Sequence, residues 1–221
     1  MGKLIVIEGL DGSGKATQSK LLFNHLLEND YNVKKFTFPD YESPSSELVK
    51  MYLSGEFGNK PNDVNAYTAS LFYAVDRFAS FKKKWKDFYD DGGIIVADRY
   101  TTSNAVYQCS KLPKQDWNAY LEWLFDLEYN KIVIPKPDKV IYLDVTPEVS
   151  QKLLMSRYNG DETQKDIHEK NINFLNNSRN SALYCVDKFN WEIIKCDDNN
   201  NMYSIEEISK KIIKSIDTCL K

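Results

Sequence analysis

No apolar run in this sequence approaches the length needed to cross a bilayer. Excess charge is missing too: 29 Lys and Arg stand against 32 Asp and Glu, a net charge of -3. That balance excludes a general nucleic-acid-binding surface, so any positive site must be local. There is no internal repeat and no linker, which argues for one folded unit. The four cysteines, Cys109, Cys185, Cys196 and Cys219, show neither CxxC pairing nor regular spacing. Reduced thiols are therefore expected, and a disulfide framework is not. The first residues lack a signal-peptide layout, because a short apolar run leads straight into a glycine-rich loop. A cytoplasmic protein with no membrane or nucleic-acid partner is the expectation. What remains is an ordinary globular composition, 42% hydrophobic and 28% charged over 221 residues, enough for a single α/β domain with a real core.

The most informative stretch is Leu4-Ile5-Val6-Ile7-Glu8-Gly9-Leu10-Asp11-Gly12-Ser13-Gly14-Lys15. An apolar, strand-length run stops at glycines, and a helical pattern follows Lys15. The spacing Gly9-x-x-x-x-Gly14-Lys15 is that of a phosphate-binding P-loop in its strand–loop–helix setting. Glycines let successive backbone N–H groups converge on one concavity, and the helix dipole and Lys15 add positive charge. Gly9, Asp11, Gly12, Ser13, Gly14, Lys15, Ala16 and Thr17 are thus the expected nucleotide phosphate site. Ala16 stands where a Ser or Thr hydroxyl normally reaches Mg2+. A GTPase would need an Asn-Lys-x-Asp segment to read its base, and the sequence has none.

Further along, short apolar runs alternate with helical patterns. Strands are expected at 33–38, 94–97, 139–143 and 191–195, and helices at 18–28, 47–53, 62–89, 114–129, 166–187 and 205–216. Such alternation predicts a parallel sheet covered on both faces, with ligands beyond the carboxyl ends of its strands. Gly9 to Lys15, Pro39 to Ser43 and Asp98 to Gln108 fall there. Asp98, ending an apolar strand, suits a Walker-B-type acid that holds Mg2+ through water; Arg99 beside it offers a planar fork for a phosphate. A surface ion pair would read the same way.

The motifs Ile7 to Lys15, Phe72-Tyr73-Ala74-Val75-Asp76-Arg77, Asp98-Arg99-Tyr100 with Ser103 and Tyr107-Gln108, and Tyr142 to Glu148 together resemble the thymidylate kinase family. The resemblance covers about the first two thirds of the chain. It implies a three-layer P-loop kinase fold, a parallel five-stranded sheet flanked by helices, as one domain over 1–221 with a small mobile lid at about 157–166. It also implies phosphoryl transfer from ATP to dTMP, giving dTDP and ADP, Mg2+ as cofactor, and homodimers packed through helices. On that basis Asp11 contacts the acceptor 3′-hydroxyl, although a turn-forming Asp is its bland alternative. Tyr73 and Arg77, on one helix face, would stack on thymine and bond its carbonyl; a buried aromatic beside an extended Arg would share that spacing. Gln108 and Asn104 would read the base edge, and Tyr107 would pack on the sugar.

Catalysis by positioning and charge neutralisation would fall to Lys15, Arg99, Asp98 and a lid cation. Gly12 occupies the slot in which some family members place an arginine, so Arg157, with Lys165 second, is the expected lid cation, either of which could equally be a solvated helix-end charge. Three departures from the family stand out: Ala16, a lid with few arginines, and the loop Phe38-Pro39-Asp40-Tyr41, where an arginine commonly holds the acceptor phosphate. Phe38 and Tyr41 are nevertheless expected substrate contacts. Two alternatives remain open at this stage. One is a kinase of another deoxynucleotide or of a deoxynucleoside, with Asp40 or Glu42 as base. The other is a catalytically weak nucleotide-binding pseudo-kinase.

Overall fold

Strand β1 (Lys3–Gly9) is buried from Leu4 onward, and its residues alternate between two cores. Ile5 and Ile7 pack with Val96, Ile141 and Leu143 against Leu22, Leu26, Ile208, Ile212 and Ile216. Leu4 and Val6 pack with Ile95 and Ala97 against Phe81, Trp85, Tyr89 and Tyr100 on the opposite face. A strand apolar on both faces needs helices on both, which is why the sheet is parallel and three-layered. The computed structural model describes residues 1–161, 163, 165–198, 201–217 and 219–220. Positions 162 and 164 of the expected lid, and positions 199 and 200 of an asparagine-rich loop, lie outside the described residues.

In chain order, β1 leads to α1 (Lys15–Glu28), β2 (Val33–Thr37), α2 (Glu47–Ser54), α3 (Ala66–Ser80), α4 (Lys86–Asp90) and β3 (Ile94–Asp98). There follow α5 (Thr101–Ser103), α6 (Trp117–Phe125), β4 (Lys139–Asp144), α7 (Pro147–Arg157), α8 (Ile172–Phe189) and β5 (Glu192–Lys195). A two-stranded ladder of β6 (Asp197–Asp198) and β7 (Asn201–Met202) precedes α9 (Ile205–Ile216). The five-stranded sheet runs β2-β3-β1-β4-β5 with parallel pairing throughout. Ile7 pairs with Asp98 and Gly9 with Leu143, so the P-loop and the Asp98-Arg99 step leave the sheet side by side.

The expected strands are present within a residue or two; three helices differ. The helix expected from Asn62 starts at Ala66, because Asn65 caps it by accepting from the Thr68 amide. Its continuation passes through a π-helical turn, Phe81–Trp85, before α4. The helix expected from Asp166 starts only at Ile172, capped by Asn171, and the residues before it form turns in which the Lys170 amide donates to the Asp166 carbonyl and the Asn171 amide to the His168 carbonyl. The helix expected over 114–129 opens as a 3-10 turn and closes as a π-helical turn, Asp126–Lys131. Helical structure over 101–111, including a third π turn at Asn104–Gln108, has no strong periodic signal in the sequence. The four cysteines are free thiols. Among the described residues no helix is long and apolar enough to cross a membrane.

Candidate active site

The loop between β1 and α1 lines one end of a cavity of about 330 Å3. Gly12 adopts φ 79, and a Cβ there would lie 2.7 Å from the Ser150 carbonyl oxygen. Glycine at this position is thus required twice, by backbone angle and by the approach of α7. Lys15 turns back over the loop and donates to the Leu10 carbonyl at 2.6 Å. Burial, and then the charge of Arg99, pull its ammonium down to about 8. Ala16 and Thr17 are exposed on the first turn of α1, and only Ala16 of the two lines the cavity. Among the described residues, the buried Ser13 hydroxyl has no hydrogen-bond partner.

Beside the loop, Arg99 sits just past β3 at φ 67, an uncommon conformation for a residue with a side chain. Its guanidinium pairs with Asp11, reaches the Ser103 hydroxyl at 3.3 Å and lies 5.3 Å from the centre of the Tyr107 ring. Tyr107 donates to the other Asp11 carboxylate oxygen at 2.9 Å. Burial alone would push the Asp11 carboxyl up; Arg99, Lys15 and the Tyr107 hydrogen bond outweigh it and hold it at about 2. Asp11 is therefore an anionic acceptor at any physiological pH. Asp98 is buried at the same strand end and lines the cavity.

The expected base contacts line the same cavity. Phe38, Tyr41, Tyr73, Arg77, Asn104, Tyr107 and Gln108 all line the cavity, whereas Phe72 packs outside it against Phe57. The π turn Asn104–Gln108 brings the last three of those side chains to the cavity within five residues. Arg77 lies in α3 and is almost fully buried, donating to Glu128 and to the Tyr100 carbonyl. Gln108 is buried, and among the described residues its Oε1 has no hydrogen-bond partner. Asp40, a candidate base for a nucleoside kinase, pairs with Lys84 instead, and neither it nor Glu42 lines the cavity.

The family model described as thymidylate kinase matches residues 7–212. The chain belongs to the thymidylate kinase family. It is 34% identical over 188 residues to a probable thymidylate kinase of Staphylothermus marinus, covering 85% of this chain and 83% of that one. It is 35% identical over 173 residues to the thymidylate kinase of Plasmodium falciparum, covering 76% and 75%. The solved thymidylate kinase of Candida albicans superposes with a TM-score of 0.70 at 23% identity, covering 98% of this chain and 92% of that one, a likeness of fold.

Several residues in or behind this cavity were not singled out from sequence. Glu8, the one acid in the apolar β1 run, is fully buried. It accepts from the Gly9 amide at 3.0 Å and from the hydroxyls of Thr102 and Ser103 at 2.7 and 2.8 Å, tying the P-loop to the turn after β3. Asp76 accepts from the Asp40 amide and the Ser45 hydroxyl and so fixes the loop that carries Tyr41. Asp166, His168 and Glu169 line the cavity, because the chain after the lid folds inward where a continuous helix was expected. His168 lies nearly parallel to Tyr107, at 10° and 5.8 Å, and within 2.7 Å of the Tyr52 hydroxyl. Burial, then Lys111, push its imidazole down to about 3, so it is neutral. Burial, with Asp11 and Glu169 nearby, pushes the Asp166 carboxyl up to about 7. Of the two lid cations expected, Arg157 lines the cavity at the end of α7. Lys165 is buried and donates to the Gln151 side chain at 2.9 Å.

Proposed function

We propose that this protein transfers the γ-phosphoryl group of ATP to the 5′-phosphate of dTMP, giving dTDP and ADP. One observation carries the choice of acceptor. The wall of the same cavity offers spare N–H donors on Arg77 and, on Gln108, an acceptor with no hydrogen-bond partner among the described residues. Thymine presents the complement, a carbonyl beside an imide N–H. Purified protein with ATP and Mg2+ should form ADP fastest with dTMP among dTMP, dUMP, dCMP, dGMP and thymidine. Phosphorylation of thymidine with dTMP ignored would contradict the reading.

The acceptor oxygen is already anionic near neutral pH, so the chain need not supply a strong base. Lys15 and the loop amides would neutralise charge on the β- and γ-phosphates. Arg99 would hold the acceptor phosphate in line, and Arg157 would bring the lid's charge to the transferring group. Asp11 has further lone pairs for a 3′-hydroxyl while keeping Arg99 and Tyr107. Tyr73 would stack on the base, with Asn104 and Gln108 at its edge. Phe38 and Tyr41 would close the side of the cavity on the β2 loop.

Mg2+ fits this residue set as a nucleotide-bound ion. Asp98 is a buried carboxylate facing the cavity, with no hydrogen bond or ion pair among the described residues. Among those residues no group of three or more His, Cys, Asp or Glu side chains could cage a metal. Asp98 would hold the hydrated ion, with ATP phosphates and water supplying the remaining ligands. When bound, the ion would screen phosphate charge. Ala16→Thr restores a hydroxyl on an exposed position and is expected to improve kcat/KM for Mg·ATP roughly threefold to tenfold. Unchanged kinetics would mean that another group already fills that role.

We propose further a cytoplasmic homodimer. Tyr67, Leu71, Val75 and Phe78 recur at helical spacing on α3 and are 39, 42, 53 and 39% exposed, an apolar stripe that a second copy would cover. Leu71→Glu combined with Val75→Glu should convert a dimer into a monomer by light scattering. A wild-type monomer would contradict the assignment.

A further inference from the structure

Arg77 and Asn104 line the cavity, but their fixing point lies behind them. Glu128 is fully buried in the π turn Asp126–Lys131 and is not part of the cavity wall. It takes Arg77 Nε at 2.8 Å and Arg77 Nη2 on its two oxygens, and Asn104 Nδ2 approaches one of them at 3.5 Å. Arg77 Nη1 donates to the Tyr100 carbonyl at 3.3 Å. Three of the five guanidinium N–H groups are thereby spent, and two remain for a ligand.

We propose that Glu128 is a positioning residue for the acceptor base, holding Arg77 and Asn104 so that the spare Arg77 donors meet a base carbonyl. The proposal rests on the assignment of Arg77 to the base. Three physical arguments support it. A buried ion pair is often no more stabilising than two apolar side chains of the same volume, so stability alone does not account for this one. An unpaired buried guanidinium would also draw an anion, and it would compete with Arg99 for the acceptor phosphate. Paired with Glu128, Arg77 presents directed donors with no net charge, which suits a neutral base. The side-on grip also fixes the plane of the guanidinium, and with it the direction of the remaining N–H groups.

The base code supplies a readout that a loosened core would not mimic. Thymine carries a carbonyl acceptor where cytosine carries an amino donor. A fixed Arg77 donor therefore rejects dCMP, and a freed one rejects it less. Glu128→Gln places an amide N–H against a guanidinium N–H and loses the neutralising charge. It should raise KM for dTMP about tenfold or more, leave kcat and KM for ATP within about twofold, and reduce the preference for dTMP over dCMP. Wild-type KM and preference in Glu128→Gln would overturn the proposal. Arg77→Ala separates the two claims. If it leaves KM for dTMP unchanged, the base assignment itself fails. If it raises KM while Glu128→Gln does not, only the role of Glu128 fails. The double variant should show the KM of Arg77→Ala alone, and additive effects would count against action through Arg77. Should Glu128→Gln melt out of the folded state, Glu128→Asp keeps the charge on a shorter stem. It is expected to raise KM for dTMP severalfold without moving KM for ATP, and an unchanged KM would overturn the proposal.

Discussion

Arg99→Ala is expected to lower kcat/KM for dTMP roughly a thousandfold, about 4 kcal/mol of transition-state stabilisation. The structure concentrates several demands on this one side chain. It leaves β3 at φ 67, which turns it toward the P-loop, and it is gripped by Asp11, Ser103 and the face of Tyr107. The Glu8 carboxylate lies 3.7 Å behind it. A guanidinium held this way is already oriented when the acceptor phosphate arrives, so little reorganisation accompanies phosphoryl transfer. Arg99→Lys should recover only a small part of the loss, because an ammonium cannot span two phosphate oxygens in one plane. Steady-state kinetics with dTMP varied at saturating ATP measures both variants. A loss below about tenfold would assign the acceptor phosphate to another cation, with Arg157 first in line.

Lys15→Met should cost about a hundredfold to a thousandfold in kcat, since it removes the one full positive charge carried by the phosphate loop. The unliganded protein adds a pH test. Burial and Arg99 hold Lys15 down to about 8, against 10.5 for an ordinary lysine. The ammonium is charged below that value and loses its proton above it. KM for Mg·ATP should therefore rise as pH climbs from 7 to 9 in the wild-type protein, and stay comparatively flat in Lys15→Met. An identical rise in both would mean that another group titrates. Bound polyphosphate would pull the Lys15 pKa back up, so the effect should appear in KM more than in kcat.

Much of the fold was legible because its central strands are apolar runs of the right length, and Gly9, Pro39 and Gly92-Gly93 punctuate the chain around them. The P-loop spacing named one end of the cavity, and the Asp98-Arg99-Tyr100 step named its neighbour through the pairing of Ile7 with Asp98. Helix ends were less legible. Asn65 and Asn171 are the caps, and each had been absorbed into a longer expected helix. The segment 101–111 is rich in Thr, Ser, Asn and Tyr, weaker helix formers whose conformation is set by packing; α8 lies against it, with Ser181 donating to the Val106 carbonyl.

The residues that went unnoticed share one cause: they act through burial, and a sequence does not display burial. Glu128 falls within the helix expected over 114–129, whose pattern gives an acid no mark of burial, and His168 within the helix expected over 166–187. Glu8 did leave a signal. A single acid inside an apolar strand must find partners, and here Thr102, Ser103 and Arg99 supply them. Lys165 offers the reverse lesson, a lid lysine whose ammonium bonds Gln151 in the fold while Arg157 reaches the cavity.

In the proposed function one cavity holds two nucleotides, with ATP phosphates at Gly9–Thr17 and thymine at Arg77 and Gln108. A compound joining adenosine and thymidine through a five-phosphate chain spans both ends. Titration calorimetry should give one such molecule per chain, bound about a hundredfold or more tighter than ATP or dTMP alone. Arg77→Ala and Lys15→Met should each remove most of that gain. Binding no tighter than ATP alone would contradict the account.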